Sequence, residues 1–129
     1  MAQIKKFEDL ESWQKARELS QFIFKITKKD LFSKDYTLVD QIRASSGSGM
    51  DNIAEDFNRG GNKEFIQFLF TSNGSLAESQ SQLYRALDRK YIIDEEFNKG
   101  YLLANRTIKL NLGMIRYLKS SDYKGQKYS

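Results

Sequence analysis

The chain of 129 residues is the size of one ordinary domain, and with 40% hydrophobic residues, nine Phe and seven Tyr it is too apolar and aromatic for a disordered segment. It has neither Cys nor His, which excludes disulfides, thiolate zinc sites, thiol nucleophiles, the Glu-x-x-His ligands of di-iron bundles and any Ser-His-Asp triad. The formal charge of +4 is unevenly spread: residues 1–96 hold 14 Lys/Arg against 16 Asp/Glu, net −2, whereas residues 97–129 hold 7 against the single Asp122, net +6.

A basic last quarter favours a polyanionic partner, nucleic acid foremost, and says nothing about fold. No apolar run approaches the ~18 residues of a membrane span, and "MAQIKKFEDLESW" turns acidic where a signal peptide needs its apolar stretch. The expectation is a cytoplasmic protein without a membrane partner. The absence of Pro suits long uninterrupted helices.

The first predicted helix spans about 9–29. Ala16, Leu19, Ile23 and Ile26 recur at spacings of three and four and share one face. Acidic residues open it (Glu8, Asp9, Glu11) and Lys25, Lys28 and Lys29 close it, the order a helix dipole favours. Trp13, Arg17 and Phe24 fall on another side, a hint of a second buried surface.

The second predicted helix, about 35–59, contains "SSGSG". Val39, Ile42, Ser46, Met50, Ile53 and Phe57 keep helical phase across that stretch, so it is neither a linker nor a loop. Gly47 and Gly49 should each cost about 1 kcal/mol relative to Ala, and replacing both is expected to raise the melting temperature unless they satisfy some other backbone demand. A phosphate-binding loop requires Gly, four residues, then Gly-Lys-Ser/Thr after a strand, and "GSGMDNIAEDFNRGGNK" never supplies it. Gly60 and Gly61 instead read as the end of this helix, with Asn62 capping the next.

The third predicted helix, about 63–89, carries two apolar stripes. Phe65, Phe68, Leu69, Ser72, Leu76, Leu83 and Ala86 form one; Ile66, Phe70, Ala77 and Tyr84 form another about 100° around the helix. Gly74 either permits a close approach or weakens the helix, and the sequence does not choose. The fourth, about 94–119, opens on Asp94, Glu95 and Glu96. Its main stripe is Tyr101, Ile108, Leu112, Ile115 and Leu118, widened by Leu103, Leu110, Met114 and Tyr117. A narrow basic side remains: Lys99, Arg106, Lys109 and Arg116. Residues 122–129 form a polar, frayed tail. Short connections make an all-α, antiparallel up-down-up-down four-helix bundle over residues 1–121 the simplest fold.

Several segments resemble one family in order and spacing: "FEDLESWQKARELS", "LVDQIRASS", and "MDNIAEDFNRGGNKEFIQFL" followed by "GSLAE" and "SQLYRALDRKYI". They are similar to the four-helix-bundle proteins encoded in intervening sequences of bacterial 23S rRNA genes, and the likeness covers nearly the whole chain. Relatives include accessory proteins of diversity-generating retroelements, which look like five-fold barrels that bind nucleic acid and a reverse transcriptase. Asn52, Ile53, Ala54, Glu55, Arg59, Glu64, Phe65, Phe68 and Leu69 match the family pattern. Gly47 and Gly49 stand where relatives usually carry apolar residues, and Asp56 where Gly is usual. These departures bear on the stability of the second helix.

The polar motif residues Asn52, Glu55, Arg59 and Glu64 offer a recognition patch, but an ordinary Glu55–Arg59 i,i+4 pair is the simpler reading. Glu55, Asp56 and Glu64 lack a His to complete a metal or acid/base site, so neither a metal nor a cofactor is expected, and an enzyme is not. Lys99, Arg106, Lys109 and Arg116 are by default a solvated face. The local charge and the resemblance raise them to a candidate RNA or DNA surface, sequence-blind and salt-sensitive. Trp13, Phe24, Ile66 and Phe70, with the broad fourth helix, exceed what one bundle core buries. They are therefore assigned to a homo-oligomer interface, and the resemblance implies a homopentamer. A structural or protein-binding oligomer, docking a reverse transcriptase, is the competing reading.

Overall fold

A computed structural model describes residues 4–55, 57 and 61–128, with side chains through residue 120. It is all-α; no strand occurs among the described residues. A 3-10 turn, Phe7–Asp9, precedes α1 (Glu11–Ile26), the one-turn α2 (Asp30–Ser33), α3 (Tyr36–Glu55), α4 (Asn62–Asp88) and α5 (Asp94–Tyr128). Among the four long helices, α3 packs on α4, α4 on α5, α5 on α1 and α1 on α3. No described helix is long and apolar enough to cross a membrane.

The predicted stripes largely form the core. Ala16, Leu19, Ile23 and Ile26 of α1, Ile42 and Ile53 of α3, and Leu69, Leu76, Leu83 and Ala86 of α4 are all buried. They divide into two adjoining clusters, a larger one around Ile23, Leu38, Leu76 and Ala104 and a smaller one around Ala16, Ile53, Leu69 and Ile115. In α5 the buried line differs from the expected one. Phe97, Gly100, Ala104, Thr107 and Asn111 point inward with Ile115 and Leu118, whereas Leu112 lies 38% exposed. Size is the reason: Gly100 sits so close to Leu83 that a Cβ there would stand 2.9 Å from its Cδ1, so small and polar residues occupy the inner line and larger ones are displaced to the flanks.

Several boundaries also shift. The first predicted helix is interrupted: Thr27 ends α1, and α2, which periodicity did not reveal, inserts fully buried Phe32 beneath the end of the molecule. Asn62 is the first residue of α4 and Gly61 takes the capping position, with no side-chain cap bond. The backbone of α5 continues to Tyr128, so the predicted frayed tail is helical. Longer helix at this end follows from the absence of Pro and the near absence of acidic residues near the C-terminal, negative end of the dipole. Lys90 carries a positive φ of 63° after α4; its N–H donates to Leu87 O at 2.9 Å and the Tyr91 N–H to Ala86 O at 2.9 Å. This is a Schellman closure, made here without the usual Gly.

Two carboxylates hold this end together. Asp35 caps α3 through the Leu38 N–H, 3.2 Å, and its other oxygen accepts from Arg89 Nη1 at 2.7 Å and the Tyr91 hydroxyl at 2.9 Å. Glu96 accepts from the Ile93 N–H at the start of α5 and from Lys29 Nζ at 2.7 and 2.8 Å beyond α1. The Tyr91 hydrogen bond is the largest influence holding the Asp35 carboxyl below its ordinary 3.8, with Leu38 and Arg89 adding to it against burial. Tyr91 is raised in turn, first by that same bond. For Glu96, burial pushes upward most strongly, yet Lys29, the Ile93 N–H and Lys25 together carry the net shift downward.

The helix passes through "SSGSG" without a break, and the two glycines there have different reasons. A Cβ on Gly47 would meet nothing within 4 Å, while one on Gly49 would stand 2.7 Å from Leu76 Cδ2 and 2.9 Å from its Cγ. Leu76 is fully buried, so shifting it to admit a Cβ would disturb core packing. Gly49 thus permits the close α3–α4 approach, and only Gly47 leaves the helix weakened. At Gly74 a Cβ would also meet open space, so that glycine supports no close approach.

Gly47→Ala is therefore expected to stabilise by about 1 kcal/mol, and Gly49→Ala to destabilise, the double variant gaining little; thermal melts followed by circular dichroism separate the two. A second outcome concerns acid. A carboxyl whose folded pKa is lowered contributes fully above its unfolded value and loses that contribution as pH falls through the range below about 4. Asp35→Asn, which keeps the cap but removes the charge, should melt a few degrees below the parent at pH 7, with the gap narrowing as pH falls below about 4.

Candidate functional site

Helix periodicity places the four cations of α5 on its outward side. Lys99, Arg106, Lys109 and Arg116 step by seven, three and seven residues, a band about 25 Å long at 1.5 Å per residue. All four are exposed. They are not equivalent. Arg106 Nη2 lies 3.0 Å from Glu11 Oε1 of α1, a solvent-exposed pair that offsets its charge but adds little stability. The Lys99 ammonium lies 5.1 Å above the Phe22 ring. Among the described residues no carboxylate pairs with Lys109 or Arg116. Leu102, 63% exposed, and Tyr117, 54% exposed, share this outer side, so it is a mixed cationic and apolar band.

The four residues assigned to an oligomer interface divide. Phe70 remains 47% exposed beside Lys119, whose ammonium is 5.7 Å from the ring. Ile66 is half-buried against the smaller core cluster. Trp13 is half-buried in the same cluster, edge-on to Phe7 at 5.1 Å, with the Arg17 guanidinium 5.7 Å from its ring. Phe24 is 48% exposed under two cations, Lys28 at 4.2 Å and Arg43 at 4.5 Å.

Exposed Phe70 and Tyr84 lie on the α5 side of α4, Phe70 beside Lys119 and Tyr84 beside Tyr101. Tyr84 stacks into an aromatic group with Phe97 and Tyr101, at 4.7 and 6.1 Å. Phe70, Ala77 and Tyr84 of the second stripe of α4 therefore face outward along α5, whereas Ile66 packs against the smaller core cluster.

The motif residues are structural in what they touch. Asn52 donates to the Ser48 carbonyl at 2.8 Å and its hydroxyl at 2.9 Å, one turn back on its own helix. Ser48 in turn meets Ser75 of α4 at 3.0 Å. Glu55 and Glu64 are exposed, Glu64 in the first turn of α4 where the dipole favours it. Arg59 and Asp56 lie outside the described residues, so the Glu55–Arg59 pair has no geometry here. Among the described residues no three carboxylates come together as a metal cluster would.

A polar layer of which periodicity singled out only Ser72 crosses the middle of the molecule. Ser45 donates to Gln82 Oε1 at 2.6 Å and lies 2.7 Å from the Ser79 hydroxyl. Ser72 donates to the Gly49 carbonyl at 2.6 Å, and Asn111 donates to Ser72 and to Asn73 at 3.1 and 2.9 Å. The Asn111 carbonyl oxygen is buried without a protein partner. Beside this layer a groove of about 540 Å³ opens between α3 and α4, lined chiefly by Ser45, Ser48, Ser75, Ser81 and Gln82.

The family model of 23S rRNA-intervening sequence proteins matches residues 8–113. The chain belongs to this family. The match takes in the motif, Lys99, Arg106 and Lys109, and stops short of Arg116. Among solved structures it is similar to a protein with unknown function from the S23 ribosomal protein family of Bacteroides thetaiotaomicron VPI-5482. The TM-score is 0.73 at 21% identity, over 81% of this chain and 97% of that one. At that identity the likeness establishes fold. No curated protein matches the chain.

Because Phe70 is exposed and Leu76 is enclosed, the two should differ sharply on truncation. Phe70→Ser is expected to change the melting temperature of the isolated subunit little, whereas Leu76→Ala should cost about 2–5 kcal/mol; chemical denaturation measures both.

Proposed function

We propose that this chain is a cytoplasmic, non-enzymatic, homo-oligomeric helical scaffold that binds RNA or DNA through the outer face of α5. The observation that carries the reading is the band of Lys99, Lys109 and Arg116, exposed and adjoined by only one neutralised cation, Arg106. Phosphate backbones need little more than such a row, and contacts of this kind are insensitive to sequence. The lack of His and Cys supports a binding role over catalysis.

The architecture we infer is an up-down-up-down antiparallel four-helix bundle. Paired residues support it: between α3 and α4, Gln41 meets Arg85, Ser45 meets Ser79 and Ser48 meets Ser75, one series rising while the other falls. The α1–α5 pairs, Glu11 with Arg106 and Lys29 with Glu96, run the same way.

Self-association, with five copies as the resemblance suggests, would cover Phe70, Tyr84 and Leu112 and repeat the cationic band by symmetry, multiplying weak contacts. That apolar strip equally supports a second reading, in which the strip docks a protein such as a reverse transcriptase of a retroelement.

Labelled RNA and DNA should both bind at low salt, with an affinity that falls steeply as salt rises. Lys99→Ala, Lys109→Ala and Arg116→Ala combined should weaken binding and reduce the salt slope by about three. Failure of both nucleic acids to shift in low-salt buffer, with the oligomer intact by light scattering, removes the proposal. A monomer at micromolar concentration removes the assembly.

A further inference from the structure

A second cationic surface lies on the opposite flank of α1 from α5, and its chemistry differs from that of the α5 band. Trp13, Arg17 and Phe24 follow one another along α1, with Lys28 just beyond its end, and the two rings are about 16 Å apart by helical rise. Each ring has a cation above it: Arg17 over Trp13, and Lys28 with Arg43 over Phe24. Arg43 reaches across from α3 and is fixed there, because its Nε donates to Thr27 Oγ1 at 2.9 Å. Thr27 is itself buried and anchored to the Ile23 and Phe24 carbonyls at 2.8 and 2.9 Å. Among the described residues no carboxylate pairs with Arg17, Lys28 or Arg43.

Phe24 contributes nothing to either core cluster and leaves half its surface in water. A large exposed ring, bracketed by positioned cations on a rigid helix pair, suits a ligand that presents flat apolar faces and negative charge in alternation. An unpaired nucleic-acid strand has that repeat; a duplex hides its base faces and offers phosphate alone.

We propose that the α1–α3 face is a platform for single-stranded nucleic acid, with a base stacked on Phe24 in the place of the exposed Lys28 ammonium, with Lys28 and Arg43 holding the flanking phosphates, and with Arg17 and Trp13 continuing the track. This rests on the reading of the protein as a nucleic-acid binder, and adds a strand-selective surface to the sequence-blind band of α5. It also gives Trp13 and Phe24 a role separate from that of Phe70 and Ile66.

The test uses the full chain, fluorescence anisotropy of a labelled 20-nucleotide oligo-dT and of a 20-base-pair duplex, and the intrinsic fluorescence of Trp13, the chain's one Trp. Oligo-dT should bind more tightly than the duplex and quench Trp13. Phe24→Ala should weaken oligo-dT about five- to a hundredfold, the range of one lost base stack. Phe24→Leu, which keeps the bulk, should fail to restore binding, and Lys28→Ala and Arg43→Ala should each reduce the salt slope by about one. Melting curves near the parent's confirm that the variants fold. The inference is overturned if Phe24→Leu binds oligo-dT like the parent, or if polyglutamate, which has charge but no bases, competes as well as oligo-dT. It is equally overturned if oligo-dT binds through α5 alone, losing affinity only in the Lys109→Ala/Arg116→Ala variant; that result leaves the proposed function standing. Binding of neither nucleic acid removes both.

Discussion

The close approach of α3 to α4 is the constraint on which the rest of this molecule depends. Gly49 leaves room for Leu76, and its carbonyl accepts the Ser72 hydroxyl at 2.6 Å. Ser72 in turn takes the Asn111 amide, so one backbone oxygen of α3 is linked through α4 to α5. One layer along, Ser45 of α3 is joined to Ser79 and Gln82 of α4. Buried hydroxyls and amides cost free energy unless they are paired, so sliding either helix by one turn would leave several of them unpaired at once. An apolar seam would tolerate more registers than this one.

Register decides what each helix shows to solvent. The lines that α4 and α5 turn inward, a mixture of small and polar residues with Leu69, Leu76, Leu83, Phe97, Ile115 and Leu118, leave no room for a second apolar set, and Phe70, Tyr84, Leu112 and Leu102 remain outside. The same rotation carries Lys99, Lys109 and Arg116 to the outer side of α5. The apolar strip and the cationic band are thus two consequences of one tight packing. At the end where α1 meets α5 and α4 meets the start of α3, Asp35 and Glu96 each join a helix start to a neighbouring helix end, with Phe32 filling the space beneath. Charge there serves orientation, whereas charge along the outer faces is free to meet a partner.

Much of the fold was legible in the chain, element by element. The stripes of α1 and α4 and the continuity of α3 through "SSGSG" followed from spacing, because a residue that recurs with helical period must share a face. The inner line of α5 did not follow from it. Ala104, Thr107 and Asn111 carry weak apolar signals, and their burial depends on how near α4 stands rather than on their own chemistry. One-turn α2 was too short to show a period. The distinct roles of Gly47 and Gly49, two residues apart and identical in composition, depend on which of them faces Leu76. Of the candidate site, the cations of α5 were visible as a local excess of charge, but the neutralisation of Arg106 by Glu11, 95 residues away, was not.

The sequence by itself determined the class of molecule: helical, without Pro, Cys or His, cationic in its last quarter, and matching a family by motifs in order. Those properties are local or compositional, and no partner is needed to read them. Only the tertiary structure decided which rings stay in water, which glycine is a contact, and that Arg43 of α3 joins Lys28 over Phe24 of α1. Such facts belong to pairs of residues far apart in the chain, and periodicity assigns a residue to a face without saying what stands opposite it.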